Sequence, residues 1–215
     1  MTINVNLKIF LFAILFYFTK QIEIYALLML FAFIHEMGHL ICGLLLGLKP
    51  KALKIMSLGI CIEFNVIYKD YNKKIKKSNV LSIKKMILAL AGPITNIIII
   101  ALCIFYKNHI GMAKEIIYAN LLIAIFNLIP IYPLDGGRFL KELIHIIKGK
   151  KESIKCINFI SNACIILITM LSSIGIYYYK NIAIVLIIGY LWILTIKENR
   201  KYNIKKRIYK IIENS

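Results

Sequence analysis

One short stretch, Phe33-Ile34-His35-Glu36-Met37-Gly38-His39-Leu40, has residue types and spacing suited to metal chemistry. On a helix, positions i and i+4 share a face with about 5–6 Å between their Cβ atoms, so two imidazoles placed there reach one ion. His-Glu-x-x-His is the pattern in which the histidines hold zinc and the glutamate acts as general base on water. The stretch lies inside the apolar run Ile22–Leu48. Burying two histidines and a glutamate there costs on the order of several kcal/mol unless something pairs with them. Hydrogen bonding to neighbouring helices would satisfy a lone core histidine. The triplet at ligand spacing points instead to a metal.

A catalytic zinc takes three protein ligands and keeps one position open. The chain has only four histidines; His109 falls in a short connector and His145 beyond the fourth apolar run. Position 45, where an extended motif would place another histidine, is Leu45. Glu63, downstream of His39 at the kind of spacing soluble zinc proteases use for a glutamate ligand, is one candidate third ligand. Asp135 is the other. It lies in Phe126-Asn127-Leu128-Ile129-Pro130-Ile131-Tyr132-Pro133-Leu134-Asp135-Gly136-Gly137-Arg138, where two prolines and two glycines break the helix. Broken backbone at membrane depth is tolerated only where it is buried in protein or lines a wet cavity, and a carboxylate there must be paired or metal-bound. Asn127, with Pro130 and Pro133, is a candidate for positioning an extended substrate backbone or the turn itself. Ala89-Leu90-Ala91-Gly92-Pro93-Ile94-Thr95-Asn96 opens another apolar run. Gly92 and Pro93 mark a kink or close approach there, and Asn96 needs a partner, with helix packing the plain reading. Gly43 and Gly47 are read as a close helix-packing pair.

The elements that must carry these residues are membrane helices. Of the 215 residues, 60% are hydrophobic, and the mean hydropathy is +0.76. A soluble domain carries about 45–50% apolar residues. The candidate spans are Ile3–Phe18, Ile22–Leu48, Met86–Tyr106, Ile116–Leu134, Ile157–Tyr179 and Ile182–Ile196, of which the first and last are short and the fourth ends in the Pro-containing stretch. The first is read as a retained span, since no small-residue cleavage site follows it. The basic residues sit mostly between the apolar runs: 24 of the 28, with Lys8 near the N-terminus among them, fall on one side of a six-span arrangement and four on the other. The positive-inside rule makes the basic side cytoplasmic and puts both termini there. The expected fold is an all-α polytopic membrane protein with about six transmembrane helices. Residues 1–196 form the membrane domain and 197–215 a basic cytoplasmic tail. Within the domain, 52–66 alternates as a β-hairpin or membrane-associated insert between spans 2 and 3, and 68–85 is a basic connector. The tail reads equally as an amphipathic helix on the inner leaflet or as a frayed segment. The hairpin could pair edge-on with an extended substrate. The depths of His35 and Asp135 in two inward-running spans both fall in the cytoplasmic half, so the two could meet.

The placement of the basic residues favours contact with anionic lipid and argues against nucleic acid as a partner. Five cysteines without a C-x-x-C pair imply neither a disulfide framework nor a cysteine metal site. Four histidines are too few for a di-iron membrane oxidase. A membrane metal transporter would use the histidine pair but has no need of Glu36, and a non-catalytic scaffold would not need Glu36 either.

Taken in order and spacing, His35–His39, Ala91–Asn96 and Asn127–Gly137 resemble the site-2 protease family of intramembrane zinc metalloproteases, peptidase family M50, and most closely its stage IV sporulation protein FB group. The resemblance covers nearly all of the membrane portion. It implies one Zn2+ held by His35, His39 and Asp135, with Glu36 as catalytic base. It also implies regulated intramembrane proteolysis of a membrane-associated protein substrate, in that group a sporulation sigma-factor precursor, with inhibitory membrane-protein partners. The group's C-terminal paired CBS domain is not expected in the short segment 197–215 that follows the last run, so the resemblance carries the catalytic chemistry further than it carries ATP sensing or the sporulation substrate. The absence of a PDZ insert separates the chain from the periplasmic-stress branch. A lysine- and isoleucine-rich composition fits an A+T-rich bacterial genome and a multi-pass protein of the cell membrane.

Overall fold

The computed structural model describes residues 2–5, 17, 22–56, 59–65, 75–109, 111–179 and 182–213. The chain divides into two compact units, Met1–Asn127 and Leu128–Ser215.

The first unit holds strand β1 (Thr2–Val5), helix α1 (Ile22–Leu45), strands β2 (Lys49–Met56) and β3 (Gly59–Asn65), helix α2 (Ile75–Phe105) and helix α3 (Ala113–Leu128). β2 is the middle strand, paired parallel with β1 and antiparallel with β3, with a register irregularity between Pro50 and Ala52. Proline lacks the N–H that a regular ladder needs, so an irregularity beside it is expected. β1 alters one sequence expectation. The sequence places Ile3–Val5 in the first span, but they extend along β2, whose backbone groups gain partners there. The rest of that expected span, apart from Tyr17, lies outside the described residues.

Helix α1 ends by a defined device. Leu48 N–H donates to the Gly43 carbonyl at 2.9 Å and Gly47 N–H to the Leu44 carbonyl at 2.9 Å, with Gly47 at φ 74°. This is a Schellman cap, and its left-handed position suits glycine. The Lys84 ammonium adds a 2.8 Å hydrogen bond to the Leu46 carbonyl. Gly47 is therefore a terminator and not a helix-packing residue. Gly43 meets the Phe64 ring of β3 rather than a second helix. α1, α2 and α3 share a core in which Phe31, Ala119 and Ile123 are buried, flanked by Leu27, Leu28, Ile99 and Ile116.

The second unit holds helices α4 (Asp135–Tyr179) and α5 (Ile182–Glu213). α4 is broken at Gly149, at φ 82° and ψ 172°. Asn199 donates to Asn162, and Trp192 donates to Thr169, so the two helices run antiparallel. α5 continues without interruption from the apolar 182–196 into the basic 197–213, so the expected tail is helical over its described residues.

Among the described residues three helices are long and apolar enough to cross a membrane, Ile22–Leu45, Asn79–Phe105 and Asp135–Tyr178. α3 is a 16-residue helix, shorter than the roughly 20 residues a span needs, because the expected fourth span unwinds after Leu128. The distribution of polarity is inverted relative to a water-soluble protein. Ile94, Ile97, Ile98, Leu102, Ile104 and Phe105 of α2 are exposed, while His35, His39, Asn96 and Asn120 are buried. Such a surface suits lipid.

Candidate metal centre

His35 and His39 project from one face of α1 and are 2% and 4% exposed. Their rings meet edge-on with centroids 4.9 Å apart, and their Nε2 atoms are 3.2 Å apart. The other nitrogen of each ring is held from α2. His39 Nδ1 lies 2.7 Å from the Leu88 carbonyl oxygen, and His35 Nδ1 lies 2.6 Å from Asn96 Oδ1.

These contacts fix the protonation pattern. A backbone carbonyl only accepts, so His39 Nδ1 carries the hydrogen. The chain of amides fixes His35 in the same way. Asn120 Nδ2 donates to the Ile116 carbonyl at 2.8 Å, which orients the Asn120 amide. Its Oδ1 then accepts from Asn96 Nδ2 at 2.9 Å. That turns Asn96 Oδ1 toward His35, whose Nδ1 must donate. With the hydrogen of each ring on Nδ1, the two Nε2 atoms are the ones turned toward each other, and in the neutral form, the form that binds metal, both offer a lone pair to a shared cation.

Space for one is kept by α2. A Cβ at Gly92 would collide with His39 Nε2 and lie 2.5 Å from His35 Nε2. Zinc–nitrogen bonds are about 2.0–2.1 Å, so the room that glycine leaves open is on the scale of an ion. Pro93 follows and is buried. Thr95 Oγ1 donates to the Ala91 carbonyl at 2.9 Å within this turn. Donor type, tautomer and space all fit zinc.

Glu36 is half-buried on α1 between the two histidines. Asp135 opens α4 and is 5% exposed. A carboxylate in the first turn of a helix meets the positive end of its dipole, and Arg138 Nη1 lies 3.6 Å from Asp135 Oδ1. The turn before it is tied by hydrogen bonds from Leu134 N–H to the Ile131 carbonyl and from Arg138 N–H to the Leu134 carbonyl. The Tyr132-Pro133 peptide is cis. A Cβ at Gly136 would collide with the Leu128 carbonyl oxygen, so this turn folds directly against the first turn of α4. Among the described residues, His35, His39 and Asp135 are buried side chains of the donor types that zinc takes.

Asn127 Nδ2 donates to the Ile123 carbonyl one turn back in α3 at 3.0 Å, and Pro130 and Pro133 are half-buried. Glu63 is on β3, register partner of Ala52; its side chain lies outside those described. His145 pairs with Glu142 on α4 at 3.5 Å, and His109 closes a single 3-10 turn. Sequence reasoning left Asn96 to helix packing and passed over Asn120. The available signal was an asparagine in each of two apolar helices, since a polar group in lipid must find a partner.

Comparison with known proteins adds three findings. The sequence model of peptidase family M50 matches residues 108–171. The candidate zinc metalloprotease sll0528 of Synechocystis sp. is 30% identical over 137 residues, covering 58% of this chain and 32% of that protein. The chain thus spans about a third of the length of that curated relative. The solved structure of a site-2 protease from Methanocaldococcus jannaschii superposes with a TM-score of 0.69 at 19% identity, covering 91% of this chain and 89% of that one; at this identity the likeness is one of fold.

Proposed function

We propose that the chain is an intramembrane zinc endopeptidase of the site-2 protease family, peptidase family M50, a reading supported by the match of the M50 model to residues 108–171 and by the similarity to the candidate zinc metalloprotease of Synechocystis sp.. The observation that carries this reading is the approach of His35 Nε2 and His39 Nε2 to 3.2 Å, with both rings held at Nδ1 from α2. His35, His39 and Asp135 would hold one Zn2+; the buried carboxylate at the first turn of α4 supports the third assignment. When bound, zinc supplies Lewis acidity, which polarises a carbonyl and acidifies water.

The protein's own groups do the rest. Glu36, between the two ligands on the same helix, accepts the proton of the attacking water and delivers it to the leaving amine. Asn96 and the Leu88 carbonyl hold the hydrogen of each imidazole on Nδ1, leave Nε2 for the metal and aim both rings. The sheet offers backbone groups with which an extended substrate segment can pair. Asn127, Pro130 and Pro133 position that segment. The apolar helices exclude lipid from the reacting bond.

The substrate is a membrane-associated or transmembrane protein, and the setting is a six-span bundle in a bacterial cell membrane with both termini cytoplasmic, supported by the 24-to-4 division of basic residues. A sporulation sigma-factor precursor is the first substrate to test, and inhibitory membrane proteins are the expected regulators. Co-expression of wild type and Glu36→Gln with such a precursor tests the chemistry. Cleavage by wild type, reduced about 10²–10⁴-fold in the variant, is expected. Cleavage at equal rates would remove Glu36 from the mechanism.

A further inference from the structure

The antiparallel pairing of α4 and α5 places two sequence boundaries at one end of the hairpin. The apolar stretch of α4 begins near Ile157 and that of α5 ends near Ile196. Asn162 pairs with Asn199 close to both boundaries, and Thr169 pairs with Trp192 further in. At that end a cleft of about 450 Å³, its open mouth included, lies between the helices.

Its walls carry three lysines and one carboxylate: Lys141, Lys201 and Lys205 with Glu198. The lysines come from two helices. Lys141 reaches the cleft because α4 breaks at Gly149 and folds back, with Ser153 Oγ donating to the Lys141 carbonyl at 2.5 Å. The Lys141 ammonium sits 4.4 Å from the centroid of the Tyr132 ring. Tyr132 is held in turn by its N–H, which donates to Ser161 Oγ at 3.0 Å. Glu198 pairs with Lys201 at 2.5 Å. That hydrogen bond is the main cause holding the Lys201 ammonium above the usual lysine range, so it stays charged.

Three cations brought to one cleft repel each other, and a single carboxylate neutralises one of them. Their number, their origin on separate segments and the fixing of Lys141 by Tyr132 mark this group. The position, where both helices change from apolar to basic sequence, is that of a lipid headgroup.

We propose that the α4–α5 cleft is a phosphate-binding site, filled by the phosphodiester of an anionic lipid through Lys141, Lys201 and Lys205. A lipid phosphodiester and a free phosphate share the chemistry that these lysines recognise. The proposal is independent of the protease reading, since it uses none of the residues assigned to the metal or to the proton transfer.

The test uses the full chain purified in detergent, with native mass spectrometry counting retained phosphatidylglycerol. Three forms are compared: wild type, K141Q/K201Q/K205Q, and K148Q/K150Q/K151Q as an equal charge change on α4 outside the cleft lining. Wild type is expected to retain one phosphatidylglycerol in preference to phosphatidylcholine. The cleft variant should lose at least about tenfold in occupancy and the control variant less than about twofold. K141R/K201R/K205R, which keeps the charge, should retain the lipid and excludes misfolding as the cause. Inorganic phosphate is titrated in parallel. Cleft-dependent binding of inorganic phosphate without lipid retention would overturn the lipid assignment and give the same site to a soluble phosphate. Equal loss in the cleft and control variants, or undiminished lipid in the cleft variant, would overturn the proposal.

Discussion

The Nε2 atoms of His35 and His39 lie 3.2 Å apart, with the other nitrogen of each ring held from α2. A cation bound between them would hold the two rings in this arrangement. Metal and fold are therefore linked: an ion that binds only the folded protein stabilises it by about 2.7 kcal/mol at a hundredfold excess over its dissociation constant. Thermal unfolding in detergent, with and without a chelator, should show a lower midpoint after stripping and recovery on adding zinc. An unchanged midpoint, with zinc content shown to have fallen, would speak against a metal at this pair.

The amide chain through Asn96 and Asn120 sets how well the pair is prepared. Asn96→Leu removes the acceptor for His35 Nδ1, and zinc affinity should fall about 10–100-fold, the usual cost of losing such a partner. Asn120→Leu leaves that acceptor in place but frees the Asn96 amide to turn over, so a smaller loss is expected. Competition with a chromophoric chelator measures both. Equal affinities in all three proteins would leave the chain without a role in metal binding.

Gly92 is the third support. A methyl group there would intrude on both Nε2 atoms. Gly92→Ala is expected to abolish bound zinc, read by elemental analysis, while far-ultraviolet circular dichroism shows the helices intact. Full zinc content in this variant would mean that the ion sits elsewhere.

The third ligand is decided by comparing Asp135→Ala with Glu63→Ala. Zinc retention should collapse in the first and persist in the second, because Asp135 is a buried carboxylate at a helix start. The reverse pattern would transfer the role to β3.

The legibility of the sequence followed the strength of the local rules. The i, i+4 spacing of His35 and His39 determines that they share a helix face, and the structure has them in contact. The unwinding after Leu128 was visible in Pro130 and Pro133, which act on their own turns, and in Gly136 and Gly137, which let the returning backbone come close. Long-range partners were harder to see. Nothing near Ile3 announces that it will join a strand far along the chain, because an isoleucine-rich run fits a strand or a span. Asn96 and Asn120 could be marked as needing partners, but not matched with His35, since hydrogen bonding across helices depends on a rotation and depth that periodicity leaves open. Gly43 and Gly47 looked like one motif and serve two purposes, because a spacing of four does not distinguish a packing face from a helix end.

The ladder from His35 through Asn96 and Asn120 to the Ile116 carbonyl has a consequence for how the first unit assembles. Within a bilayer, isoleucine and leucine surfaces gain little by choosing one neighbour over lipid, so apolar helices can slide along and rotate against each other at small cost. The polar rungs join α1, α2 and α3 at one height and one azimuth. A slip of a single turn would strand amides in hydrocarbon. The rungs that tune the histidines thus also serve as a vernier, fixing the vertical alignment of three helices before any substrate arrives.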